Sequence, residues 1–152
     1  MRLVSAVLLL AGFLSSRASA APTACELISG TDMSAILGSA VVAVADDRGG
    51  QTKCTFSSAG EEIGGAYAEV QLNWGDGEAG MKGVGIMEPQ LGEVMGQLAG
   101  LGDQATSVGP MILIRRGDDL ITLVISGVPD NTAAAKRIYG LLDARLPKAK
   151  SP

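Results

Sequence analysis

The stretch AYAEVQLNW, residues 66–74, carries the most regular pattern in the chain and decides the fold class. Polar residues alternate with apolar ones: the apolar set is Ala68, Val70, Leu72 and Trp74, and the polar set is Tyr67, Glu69, Gln71 and Asn73. A period of two predicts a β-strand with one buried side and one solvated side. Tyr67, Gln71 and Asn73 on the solvated side are therefore our candidate partner-binding surface.

Further strand patterns lie on both sides of this stretch. Before it, residues 41–44 and 52–56 are joined by the turn sequence DDRGG, which predicts a hairpin. After it, residues 104–108, 111–116 and 120–126 are predicted strands. In the last of these both alternating sets are largely apolar, which indicates a central strand covered on both sides.

Three helices are predicted around these strands. The first has Thr31 as its N-cap and ends at Gly38, the second runs from Pro89 to about Leu98, and the third extends from residue 131 or 132 to Leu146. Residues 75–85 contain five glycines and are expected to form a flexible loop or a poorly formed helix start. The resulting order, αβββ-αβββ-α, predicts an α+β fold with an antiparallel sheet packed on helices. We expect one domain over residues 21–147 and a polar tail over 148–152.

The N-terminus has the features of a secretory signal peptide. Arg2 precedes the apolar run from Leu3 to Leu14, and Ala18-Ser19-Ala20 fits the small-residue cleavage rule. The run is shorter than the roughly 20 residues that span a bilayer. We therefore expect cleavage of residues 1–20 and no stable membrane insertion afterwards. Cleavage removes two arginines and no acidic residue, so the formal charge changes from −4 to −6.

The two cysteines bear on both compartment and structure. In an exported chain, Cys25 and Cys54 are expected to form one disulfide, which closes a loop of about 30 residues. Lipidation of Cys25 is the alternative, although Pro22 stands where a lipobox has an apolar residue. We expect a periplasmic or secreted protein, with a lipid anchor at Cys25 as the less favoured location.

The composition excludes several kinds of chemistry. With no histidine, the chain lacks the commonest general base and the commonest zinc ligand, so a Ser-His-Asp or Cys-His site cannot be formed. No phosphate-loop or nucleophile-elbow motif is present. We expect no cofactor, no metal site and no catalytic residue. The net negative charge also argues against nucleic-acid binding.

The sequence is compatible with two further hypotheses. Carboxylates at Asp46, Asp47, Asp76 and Glu78 lie near glycine-rich turns, so a small hydrolase or lyase that uses carboxylates alone is one alternative. The other is an envelope inhibitor or stress protein that acts through a mobile 75–85 loop.

Short motifs spread along the chain resemble a family of small exported domains of unknown function, many of them described as lipoproteins. The motifs are Cys25-Glu26-Leu27-Ile28, Ile36-Leu37-Gly38, Cys54-Thr55-Phe56 and Leu101-Gly102-Asp103-Gln104-Ala105. The resemblance spans about Cys25 to Leu146, and this chain departs from the family in lacking a convincing lipobox. It implies an exported domain of helices and strands with a disulfide, and no catalytic residues. We therefore expect a non-catalytic binding or interaction protein of the cell envelope, whose partner is a protein or a small ligand.

Overall fold

The computed structural model describes residues 21–60, 64–91 and 95–148. Its elements, in chain order, are α1 (Ala24–Leu27), α2 (Gly30–Leu37), β1 (Val41–Ala45), β2 (Gln51–Ser58), β3 (Tyr67–Asn73), α3 (Gly77–Leu91), β4 (Met95–Gln97), β5 (Gln104–Val108), β6 (Met111–Arg116), β7 (Asp119–Ser126) and α4 (Asn131–Arg145). The expected signal peptide, residues 1–20, lies outside the described residues, as does the end of the predicted tail.

All seven strands form one antiparallel sheet in the order β1-β2-β3-β7-β6-β5-β4. The α+β class with an antiparallel sheet is therefore confirmed. β7 lies at the centre of the sheet between β3 and β6, as its two apolar alternating sets predicted. In the described part of the chain, no helix is long and apolar enough to cross a membrane.

The main core lies on one side of the sheet, beneath α1, α2 and α4. Strand side chains from β2, β3, β6 and β7 meet helix side chains there, and the fully buried ones include Phe56, Val70, Leu123, Met33, Ile138 and Leu142. The apolar set of β3 is completely buried in this core at Ala68, Val70 and Leu72, as the sequence predicted. This side of the sheet has no free surface along β3.

The predicted disulfide is present and connects α1 to the sheet. Cys25 in α1 bonds to Cys54 in β2, with the two Cα atoms 5.1 Å apart. Helix α1 has only four residues, too few for an isolated helix to be stable in water. The covalent bond and the hydrogen bond from the Ala24 N–H to Thr52 Oγ1, 2.8 Å, hold α1 against β2.

The segment around residues 75–98 differs from its prediction. Of the two alternatives for residues 75–85, the flexible loop is wrong and the helix start is confirmed, because residues from Gly77 onward form α3. The expected helix from Pro89 to Leu98 is also wrong: Pro89 lies near the end of α3, and residues 95–97 are the strand β4. The second half therefore has four strands rather than three.

Two of the glycines explain why a helix forms there. A methyl group at Gly77 would lie 2.7 Å from the Asp119 carbonyl oxygen, and one at Gly80 would lie 2.5 Å from Leu120 Cδ2. Each glycine lowers helix propensity by about 1 kcal/mol relative to alanine. Here the close contact that they permit lets Met81 and Val84 pack in a second, smaller core with Leu113 and Leu120. Tertiary packing thus overrides the local preference for a loop.

The N-terminus of α2 is capped two residues earlier than predicted. Thr31 was expected to be the N-cap, but the cap is Ser29, whose hydroxyl accepts from the Asp32 N–H at 3.1 Å. The Asp32 carboxylate accepts in return from the Ser29 N–H, which completes a capping box. At the other end Gly38 has φ 74°, the left-handed conformation that the sequence predicted for it.

Asp32 also joins α2 to α4. Its carboxylate lies 2.7 Å from Arg145 Nη1, which in turn donates to the Leu27 carbonyl oxygen at 2.7 Å. The Arg145 hydrogen bond, followed by those from Ser29, holds the pKa of Asp32 well below its usual range. The ionised carboxylate therefore stabilises the folded protein more than the protonated one does.

We expect this site to make stability depend on pH in acid. Because the pKa of Asp32 is lower in the folded chain, its contribution is complete above about pH 5 and is lost as the pH falls through 4 and below. Urea denaturation of the wild-type chain and of Asp32→Asn should therefore show a constant difference in midpoint from pH 8 to 5. That difference should shrink below pH 4, and a difference that stays constant to pH 2.5 would contradict the assignment.

Candidate functional site

The polar side chains of β3 project from the side of the sheet opposite the main core. Because directly paired residues of antiparallel strands point to the same side, they share this side with polar residues of β2. We call this surface the open face and define it as Gln51, Lys53, Thr55 and Ser57 of β2 with Tyr67, Glu69, Gln71 and Asn73 of β3. Every one of these residues is partly or fully exposed. Helix α3 lies on the same side but packs on β6 and β7.

In one half of the open face, charged side chains and a tyrosine hydroxyl contact one another. The Tyr67 hydroxyl donates to Glu69 Oε2 at 3.1 Å, and Lys53 Nζ lies 3.7 Å from the same oxygen. Lys53 Nζ also lies 3.6 Å from Asp46 Oδ2, at the turn after β1. Burial, reinforced by the Glu69 carboxylate, raises the pKa of the Tyr67 phenol. The hydroxyl therefore remains a hydrogen-bond donor at neutral pH.

The other half of the open face is a chain of side-chain amides. Gln71 Nε2 donates to Asn73 Oδ1 at 2.7 Å, and Asn73 Nδ2 donates to Gln51 Oε1 at 3.5 Å. Each amide keeps further donor or acceptor capacity after these bonds. The result is a neutral polar surface beside the charged half, able to accept and donate hydrogen bonds without burying a charge.

The structure thus places the predicted residues Tyr67, Gln71 and Asn73 on one side of β3. Sequence reasoning did not include Lys53 and Glu69, which lie between and beside them. Glu69 is in the same alternating set of β3 as the predicted residues, and the signal for Lys53 was present in the alternation of β2, where Thr52, Cys54 and Phe56 are buried and Lys53 and Thr55 are not. Combined with antiparallel pairing of β2 and β3, that alternation places Lys53 opposite Gln71. Whether any partner binds here remains a prediction.

Val42 and Val44 extend the open face toward the edge of the sheet. They pair with Ser57 and Thr55 of β2, so they lie on the same side, and they are 52% and 58% exposed. β1 is an edge strand of the sheet. A strip of apolar surface therefore borders the polar residues of the open face.

Of the four carboxylates considered for catalysis, Asp76 is exposed directly before α3, and the other three have different surroundings. Asp46 accepts from Arg48 Nε at 2.9 Å, and this hydrogen bond lowers the pKa of Asp46. Asp47 accepts from the Thr52 hydroxyl and lines a cavity of about 280 Å³ beside Trp74. Glu78 lines a different cleft, next to Lys82 and Arg115. A lowered pKa is the opposite of what a general acid requires.

No group of three or more metal-ligating side chains is found within residues 21–60, 64–91 and 95–148. The residues that carry negative charge there are instead engaged by arginine, lysine or hydroxyl groups at several positions, as Asp32, Asp46 and Asp47 show. The arrangement can form hydrogen bonds and ion pairs with a partner.

Comparisons with protein-family models, with curated proteins and with solved structures found no match for this chain. The geometry of its own side chains is therefore the basis for inferring its function.

Proposed function

We propose that this protein is an exported, non-catalytic binding domain of the cell envelope, and that its open face contacts a partner protein. The observation that carries the proposal is a half-exposed row of polar side chains, centred on Tyr67, Gln71 and Asn73, that is already hydrogen-bonded in the free protein. Catalysis has no comparable support, because Asp47 and Glu78 line different cavities.

The ordered side chains favour binding for an energetic reason. Immobilising a flexible side chain at an interface costs about 0.5–1.5 kcal/mol. Gln71 and Asn73 are already held by their mutual hydrogen bond, so less ordering remains when a partner binds. Tyr67 adds a large aromatic surface with a polar hydroxyl, a combination that protein interfaces favour.

Export is supported by separate features. The Cys25–Cys54 disulfide is of the kind that persists in oxidising compartments outside the cytosol. The signal-peptide pattern over residues 1–20 and the resemblance to small exported domains agree with it. The inhibitor hypothesis depended on a mobile 75–85 loop, and most of that segment is the packed helix α3.

We expect the triple variant Tyr67→Ala/Gln71→Ala/Asn73→Ala to bind its envelope partner about tenfold more weakly or worse, since truncation of a few central side chains removes most interface energy. The measurement is quantitative capture from envelope extract on the immobilised protein, wild type against variant. Thr132→Ala/Lys136→Ala is the matched control, because both residues are exposed on α4, across the sheet from the open face.

The control variant should retain every protein that the wild type captures. Circular dichroism and a urea titration of the triple variant establish that its fold is intact. Equal capture by the wild type and by a folded triple variant would reject the open face as the binding surface.

A further inference from the structure

A cleft on the α3 side of the sheet has the composition of an anion-binding site. It lies between α3, the start of β5 and the end of β6, has a volume of about 290 Å³, and is lined by Glu78, Met81, Lys82, Gln104 and Arg115. Arg115 and Gln104 are directly paired across β5 and β6, so both project to the side on which α3 packs. Lys82 comes from one turn further along α3 than Glu78.

Arg115 is the residue that distinguishes this cleft. Its Nε is buried and has no hydrogen-bond acceptor within the described residues. Each of the other four arginines in that part of the chain donates to a carboxylate or to a backbone carbonyl. These four are Arg48, Arg116, Arg137 and Arg145. Although the Arg115 side chain is partly exposed, a buried N–H without an acceptor is unfavourable, because that N–H has lost its hydration and gained no partner.

The fold holds Arg115 in this position. A methyl group at Gly77 would lie 3.0 Å from Arg115 Cγ, so the start of α3 rests directly on the aliphatic part of the side chain. Leu120, the partner of Arg115 in β7, is covered by Gly80 in the same way. The start of α3 therefore restricts movement of the aliphatic part of Arg115.

We propose that this cleft binds a small organic molecule with one carboxylate group. The guanidinium of Arg115 matches a carboxylate in planar geometry, and Lys82 adds a second positive charge. Glu78 reduces the charge of the cleft to about +1, which suits a monoanion better than a dianion such as phosphate. Met81 supplies an apolar wall for the remainder of the ligand, and a cleft of this size accommodates only a small one. The site is separate from the open face, so its ligand and the partner protein are independent.

Butyrate is the probe for the test, because it combines one carboxylate with a short apolar chain. We expect it to shift the Nε–H signal of Arg115 in ¹H–¹⁵N spectra of the oxidised protein in a saturable way. Butyramide, which has the same shape without the charge, and chloride at equal ionic strength should produce no such shift. Arg115→Gln, which identifies the signal by removing it, should weaken binding measured by calorimetry about tenfold or more.

Lys82→Ala should fold like the wild type, because Lys82 is exposed on α3. It should weaken butyrate binding about two- to fivefold, the range for a partly solvated ion pair, and Lys136→Ala on α4 should leave it unchanged. Equal losses in Lys82→Ala and Lys136→Ala would show that butyrate senses only overall charge and would overturn the proposal. Tighter binding of inorganic phosphate than of butyrate would overturn the carboxylate assignment, and no shift at Arg115 would overturn the site.

Discussion

Removal of the disulfide by Cys25→Ala/Cys54→Ala is expected to lower the free energy of unfolding by about 3.5 kcal/mol. The bond joins residues 29 positions apart, so its loss gives the unfolded chain more conformational freedom. It also releases α1, a four-residue helix whose buried residues Ala24 and Leu27 belong to the main core. Urea denaturation at pH 7, with the slope compared between the two proteins, measures the change.

The wild-type protein unfolded in the presence of a thiol reductant is the matched control. If the cross-link itself is the source of stability, reduced wild type and the double alanine variant should have nearly the same midpoint. Cys54 is fully buried, so a small additional loss in the variant is expected from the missing sulfur atom. A total change below about 1 kcal/mol would contradict the prediction.

Gly102→Ala is expected to destabilise the protein by about 3 kcal/mol or more. Gly102 has φ 57°, a conformation that costs an L-residue about 1–2 kcal/mol. An added methyl group would lie 2.7 Å from Ile114 Cγ2 and closer still to the Arg115 carbonyl oxygen. Neighbouring hydrogen bonds prevent the backbone from moving away: the Asp103 N–H donates to that carbonyl at 2.8 Å, and the Asp103 carboxylate accepts from the Gly117 N–H at 2.6 Å.

Gly100→Ala separates the cost of the left-handed backbone conformation from the cost of the close contact. Gly100 has φ 80°, but a methyl group there would have no other atom within 4 Å. Its substitution should cost only the conformational term, about 1 kcal/mol. Thermal or urea unfolding of both variants gives the comparison, and equal losses at the two positions would show that the close contact at Gly102 is unimportant.

The contacts of Gly102 and Asp103 explain the role of the Leu101-Gly102-Asp103 motif, which the sequence alone did not reveal. Leu101-Gly102-Asp103 lies where the chain enters β5: Leu101 is buried in the main core, Gly102 permits the close approach to β6, and Asp103 holds the β6–β7 turn. These roles are structural. The resemblance to small exported domains that this motif carries stays a prediction.

Strands were predicted more accurately than the glycine-rich segment because their signal is local. Alternation in residues 66–74 follows from one covered side and one open side, so it is visible in the sequence itself. Residues 77–91 show glycines whose local preference opposes a helix. The contact of Gly80 with Leu120, 40 residues further along, is what favours the helix, and no local pattern contains it.

The candidate site was predicted in part for a similar reason. Tyr67, Gln71 and Asn73 share one strand, so their common side follows from periodicity. Glu69 belongs to the same alternating set of β3, whereas Lys53 became part of the open face only through the pairing register of β2 and β3. The cleft around Arg115 is formed by residues of α3, β5 and β6. No pattern in the sequence predicted that Lys82 and Arg115 would line the same cleft.

By itself, the sequence determined the α+β class, the disulfide, the exposed side of β3 and, through its lack of histidine, the absence of a histidine-based catalytic site. These depend on composition or on neighbours within a few residues. Only the tertiary structure decided that the glycine-rich segment is a helix, and which charged groups are paired. Those outcomes depend on atoms brought together from distant parts of the chain, where close packing and the presence or absence of a hydrogen-bond acceptor outweigh local preference.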